Sequence, residues 1–186
     1  ILAADIMSKG GITKRILLFC DALVGHIRGG LAHANVLASM LFGGISGAAN
    51  ADAVGLGAIE IEMMTDQGYD RPFSASVTAA SAVLPPIVPP SNIFIIYAIV
   101  AGNVSVSAMF IGGIVPAVIL SVGMIGLNYY FAVKRNYPYR DHFAGWNEVL
   151  RTTWKTMPAL FMPMIILGGI TTGIFTATES SVIAGV

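Results

Sequence analysis

Four uncharged side chains able to offer oxygen to an ion sit in two short stretches where a helix should fail. "FGGISGAANAD", residues 42–52, carries Ser46 and Asn50 among Gly43, Gly44 and Gly47. "LPPIVPPSN", residues 84–92, carries Ser91 and Asn92 around Pro85, Pro86, Pro89 and Pro90. Hydroxyls, carboxamides and carbonyls freed from helical pairing are oxygen donors suited to Na+, and helix N-termini add amide donors and a positive dipole end for an anion. The glycines permit close backbone approach. Asn50 is also placed to N-cap the helix that follows. Asp52 is the one acid near the glycines, and two roles stand open for it: ion ligand, or partner of the N-terminal dipole. His33 has no His or Cys at metal-ligand spacing and reads as a packed, hydrogen-bonded residue. Cys20 and the nine Met residues read as packing.

The elements that must hold these residues are apolar. Of 186 residues 55% are hydrophobic and 11% charged, with mean hydropathy +0.77, whereas a soluble domain carries roughly 25% charged residues. The composition indicates an all-α protein integral to a lipid bilayer. The formal net charge is zero, which gives no reason to expect a nucleic-acid partner. A single cysteine excludes an intrachain disulfide. The chain starts at Ile1 and stops inside an apolar run, so it reads as part of a longer membrane protein.

Crossing roughly 30 Å of hydrocarbon takes about 20 helical residues. Pro72–Val133 contains no charge and no His, enough for two crossings with a polar break near Gly102-Asn103. Arg71 precedes this stretch and Lys134 and Arg135 follow it, so the positive-inside rule puts both ends in the cytoplasm and Asn103 outside. The second crossing, 104–133, reads as an ordinary transmembrane helix. The first, 72–101, contains both proline pairs. Each proline lacks an amide donor and pushes its predecessor out of helical geometry, so the helix should unwind over 85–92. Irregular backbone survives in a membrane only where protein or a wet cavity surrounds it. A strong kink packed against neighbours is the competing reading.

Upstream, the smooth apolar leg Gly29–Phe42 is too short to span, and a second leg of similar length runs from Ala51 to Met64. Two half-length legs around a glycine-rich tip at 43–50 describe a re-entrant hairpin over 29–66, with Arg28 and Arg71 on one side. A single tilted helix with a glycine kink is the alternative and would separate those arginines. Residues 1–28 form a lead-in on the cytoplasmic side, with Ile12, Ile16, Phe19, Leu23 and Ile27 on one stripe. Residues 138–155 form an amphipathic arm with Phe143, Trp146, Leu150 and Trp154 on its apolar face, suited to the cytoplasmic membrane surface. Plain helix packing would explain both stripes too. Residues 156–186 are a further membrane segment, in which Thr176 and Glu179 fit a capping box. "FGGIS" and "LGGIT" share a pattern that raises an internal repeat, with chance similarity as the alternative.

Four motifs in order, "GLAHANVLASMLFGGISG", "GYDRPFSASVTAAS", "IVPPS" and "GIFTATE", resemble the large membrane subunit (DctM type) of tripartite ATP-independent periplasmic transporters, along essentially the whole chain. The resemblance implies an elevator-type secondary transporter in the bacterial inner membrane, with no enzymatic activity. It implies Na+-driven import of organic-acid anions such as C4-dicarboxylates or sialic acid. A periplasmic binding protein would deliver the substrate, and a small four-helix (DctQ-type) membrane subunit would pair with this one. It places one Na+ site on Gly43, Ser46, Gly47, Asn50, Pro89 and Ser91, with Asp52 as an additional candidate. It places a wall of the substrate site on Ser46, Ala48, Ser91 and Asn92. Ala48 stands where the family often has a hydroxyl, Ala177 where it has Pro, and Asn92 where an apolar residue is common. It also implies that the second hairpin lies beyond the segment resembling 156–186, so "LGGIT" is not its counterpart. A channel or non-transporting assembly subunit is the competing function, and an intramembrane hydrolase lacks any nucleophile-elbow pattern.

Overall fold

A computed structural model describes residues 11–140 and 145–171, and among these the regular structure is helical. The helices are α1 (Ile12–Val24), α2 (Gly30–Ser46), α3 (Ala49–Gly55), α4 (Gly57–Asp66), α5 (Arg71–Ser81), α6 (Asn92–Ala101), α7 (Val106–Lys134) and α8 (Trp146–Thr171).

α2 is the hub. It is buried on most of its surface, and its Leu31, Ala34, Ala38 and Phe42 pack with Ile16, Leu17 and Cys20 of α1, Met64 of α4 and Phe73 and Val77 of α5. The chain then folds back on itself. Ser39 of α2 donates to Asp52 of α3 at 2.9 Å, and Asn35 approaches Met64 of α4 at 4.0 Å, so residues farther from the turn pair in antiparallel order. α1 packs on α2 and α8, with Ile16, Leu17 and Cys20 as its most buried apolar positions. That face also takes in Asp21, which sequence periodicity put off the stripe. Burial raises the Asp21 carboxyl above its usual range, although Arg140 opposes this from 2.6 Å; Glu148 adds to the rise.

One end of the molecule is charged and tied together. Asp70 pairs with Arg135 and accepts from Tyr137 at 2.7 Å, and Tyr69 stacks on Tyr137 at 4.5 Å between ring centroids. Burial pushes the Tyr69 phenol up to about 12. The start of α5 therefore sits beside the end of α7. Gly29 joins them: φ is +79°, and a Cβ there would come within 2.5 Å of the Ala132 Cβ. Asn128 donates to the Ala32 carbonyl at 3.0 Å, fixing α7 against α2.

α7 has 29 residues, about 43 Å of helix, and is long and apolar enough to cross a membrane. Its Ile111, Val115, Ile119 and Val122 side chains are exposed, as are Ile96, Ile99 and Val100 of α6. α6 and α7 meet at a turn through Gly102, at φ +70°, and Ser105, whose hydroxyl caps α7 by accepting from the Ala108 amide.

One boundary differs from the sequence reading. α8 runs without interruption across position 155, so arm and membrane segment are one rod, because the prolines inside it do not end the helix. Its Trp146, Leu150 and Trp154 face away from the protein while Val149 and Thr156 pack inward. Phe143, Thr176 and Glu179 lie outside the described residues.

Candidate functional site

Both predicted breaks are present, with edges set by backbone chemistry. α2 continues through Ser46, so Gly43 and Gly44 are helical, and the turn is confined to Gly47 and Ala48. Gly47 has φ +58°, a left-handed geometry that suits glycine. The second break is longer: α5 ends at Ser81 and the chain is irregular to Ser91, where α6 begins. Pro89-Pro90 is a cis peptide.

The two breaks touch. The Asn92 amide nitrogen donates to the Ser46 carbonyl at 2.9 Å, and the Asn92 backbone amide reaches the Gly47 carbonyl at 3.4 Å. A Cβ on Gly47 would lie 2.8 Å from the Pro90 carbonyl oxygen, and one on Gly43 would lie 2.8 Å from Pro85 Cα. The glycines are thus what lets the turn sit directly on the proline loop. The same loop lies against the interior of α7, where a Cβ on Gly113 would meet the Ile87 carbonyl at 2.7 Å and the Phe94 ring at 2.6 Å.

At this junction the Ser46 Oγ is buried and has no hydrogen-bond partner among the described residues. No backbone amide among them donates to the carbonyls of Pro89 or Pro90. A hydroxyl on the turn and loop carbonyls, both without a partner among the described residues, are hard uncharged oxygen donors, the type that suits a monovalent cation. Among the described residues no three of His, Cys, Asp and Glu could hold a metal ion.

The other sequence-selected residues fall into different places. Ser91 is buried and its hydroxyl is engaged, donating to the Pro86 carbonyl at 2.5 Å and accepting from the Phe94 amide as the cap of α6. Asn50 is exposed in the first turn of α3, where the cap position is Ala48 with no side-chain cap; the proposed capping role of Asn50 is therefore corrected, because the helix starts one residue ahead of it. Ala48 lines the turn in extended backbone geometry. Asp52 is 1% exposed and faces the inside of the α2–α3 pair, one oxygen held by Ser39 and the other without a partner among the described residues. His33 binds the Arg28 carbonyl through Nε2 at 3.0 Å.

A buried polar strip escaped the sequence reading. Asn35 donates to Thr78 at 2.8 Å and accepts from Ser81 at 2.6 Å, joining α2 to α5 directly behind the second break. Glu60 is 1% exposed with both carboxyl oxygens unpaired among the described residues. The available signal was spacing: Asn35 and Ser39 lie one turn apart, as do Thr78 and Ser81, each pair on one helix face.

Residues 1–186 match the family described as "Tripartite ATP-independent periplasmic transporter, DctM component". The chain is 43% identical over 184 residues to the sialic acid TRAP transporter permease protein SiaT of Haemophilus influenzae, a match spanning 99% of this chain and 30% of that protein. It is 42% identical over 186 residues to the C4-dicarboxylate TRAP transporter large permease protein DctM of Vibrio cholerae, covering 100% of this chain and 41% of that one. Over 184 residues it is 36% identical to the 2,3-diketo-L-gulonate TRAP transporter large permease protein YiaN of Escherichia coli, covering 99% and 43%. The chain thus spans less than half the length of each of these relatives.

Proposed function

Because the chain belongs to the DctM component family of tripartite ATP-independent periplasmic transporters, a family of membrane transporters and not of enzymes, we propose that it forms part of a permease importing organic-acid anions with Na+. The named relatives carry sialic acid, C4-dicarboxylates and 2,3-diketo-L-gulonate, all organic acids, which supports the substrate class. In this reading the permease sits in the inner membrane, pairs with a small four-helix subunit and receives substrate from a periplasmic binding protein.

The observation that carries the reading is the junction of the two breaks around the unpaired Ser46 hydroxyl. α2–α4 acts as a re-entrant hairpin and α5–α6 as a broken membrane helix. Their contact lies alongside the interior of the spanning helix α7, where backbone polar groups need a partner other than lipid. Na+ takes the Ser46 hydroxyl, the Pro89 carbonyl and the second lone pairs of the Gly43 and Gly47 carbonyls, each of which also accepts one backbone amide; Ser91 holds the loop carbonyl of Pro86 in place, and Asn50, exposed on α3, and Asp52, held by Ser39, are the additional candidate ligands. The substrate carboxylate meets Ser46, Ala48 and Asn92, near the N-terminus of α6 with its positive dipole end, while Ser91 shapes this wall from within as the cap of α6. An elevator motion of this unit against its surroundings moves the site across the membrane.

Uptake by the complete permease with its small subunit and binding protein in proteoliposomes tests the proposal. Accumulation should require an inward Na+ gradient, and Ser46→Leu should raise the Na+ concentration for half-activation about tenfold, ~1.4 kcal/mol. Full accumulation without the gradient overturns the coupling; unchanged Na+ activation in the variant removes the turn from the ion site.

A further inference from the structure

Two clefts between α1 and α8 run into each other, sharing Arg15, Lys155 and Thr156. The outer one, about 130 Å³, is basic: Arg15, Arg140, Arg151 and Lys155 face a single acid, Glu148. The inner one, about 140 Å³, is apolar, lined by Ile12, Ile45, Ala159 and Met162. Thr156 fixes the geometry of both, since its buried hydroxyl donates to the carbonyls of Arg15 and Thr152 and so clips α8 onto α1. Arg140 is already matched by Asp21, so the excess positive charge belongs to Arg15, Arg151 and Lys155.

The level of the basic cleft is set independently. Trp146, Leu150 and Trp154 repeat every four residues on the outer face of α8 and are 75%, 54% and 73% exposed. A Trp-bearing apolar stripe beside lysine and arginine is the pattern of a helix at the boundary between headgroups and acyl chains. The bases then stand at phosphate level. The apolar slot leads inward from them toward Ile45, the neighbour of Ser46.

We propose that this paired cleft is a binding site for a phospholipid with an anionic headgroup, its phosphate against Arg15, Arg151 and Lys155 and the start of one acyl chain in the slot beside Ile45 and Met162. Basic pockets between membrane helices recognise anionic headgroups through charge, and the adjoining apolar slot selects an amphiphile over a free anion. A hydrophilic anion uses the mouth alone and leaves the slot empty.

The test uses the intact permease complex, purified in detergent, with phosphatidylglycerol and phosphatidylcholine titrated in parallel and retained lipid counted by native mass spectrometry. Phosphatidylglycerol should be retained preferentially. The double change Arg151→Gln with Lys155→Gln should weaken its retention about thirtyfold and leave phosphatidylcholine unchanged, as expected for the loss of two bases facing the headgroup. Met162→Trp, which fills the slot and keeps the bases, should weaken it as well, and Arg151→Lys should keep most of it, which separates lost binding from a lost fold. Unchanged phosphatidylglycerol retention in both the double variant and Met162→Trp overturns the proposal. So does displacement of the lipid by an equal concentration of glycerol phosphate, which would mark a site for free anions.

Discussion

At the scale of residues, the turn depends on one glycine more than on its neighbours. Gly47 has φ +58°, and a side chain there would also strike the Pro90 carbonyl at 2.8 Å and the Asn92 amide at 3.0 Å. Gly47→Ala should therefore cost more than the ~1–2 kcal/mol of left-handed backbone alone. Gly68→Ala is the matched control, at φ +91° with nothing within 4 Å of a new Cβ. Thermal unfolding in detergent should show the larger loss at Gly47, and uptake should fall there only; equal losses and equal uptake would mean the turn and the proline loop are not coupled. That the helix breaks within 43–50 was readable in the sequence, because glycine acts locally on the backbone. The assignment within that stretch was not. Gly43 and Gly44 stay helical because they let α2 close onto Pro85 and Pro163, a contact that no local signal reports.

At the scale of elements, α2 and α5 are joined through polar groups. Asn35 is fully buried and serves both Thr78 and Ser81. Asn35→Leu removes both bonds and should destabilise the fold by about 1–3 kcal/mol, since hydroxyls left buried without partners carry the cost. Asp70→Asn, at the exposed pair with Arg135, should cost ~1 kcal/mol or less. Equal effects in chemical denaturation would place the link between these helices elsewhere. α1 yields a pH test. Because burial raises the folded carboxyl of Asp21, the protonated form is favoured in the fold. Its contribution is present below the ordinary carboxylate range and is lost as pH rises through the raised value. Asp21→Asn should flatten the decline of stability with pH just above about 4, read as unfolding midpoints across pH; an unchanged slope would assign the decline to other groups. The sequence placed Asp21 on the polar side because periodicity assumes one wet face. Packing against both α2 and α8 leaves α1 without one there.

At the scale of the whole molecule, charge placement and tertiary contacts agree on one end. Arg71, Lys134 and Arg135 were put together by their positions flanking a long uncharged stretch, and the Asp70–Arg135 and Tyr69–Tyr137 contacts bring the start of α5 to the end of α7. The order in which helices surround α2 was not legible, since it rests on pairings such as Asn128 with Ala32 that are 96 residues apart. The arrangement makes a topological prediction. α7 covers about 43 Å from Lys134 back to Val106, so the Gly102–Asn103 turn must emerge on the face opposite the charged end. With Lys and Arg retained on the cytoplasmic side, Asn103 faces the periplasm. Cys20, the one cysteine within these 186 residues, is 0% exposed and unreactive, and any cysteine elsewhere in the complete permease is first replaced by serine. In spheroplasts carrying the complete permease, Asn103→Cys should react with a membrane-impermeant maleimide added outside, whereas Asn136→Cys should react only after permeabilisation. The reverse pattern would invert α5–α7 and move the Ser46 junction to the other side of the barrier; labelling of both from outside would mean that α7 does not span the membrane.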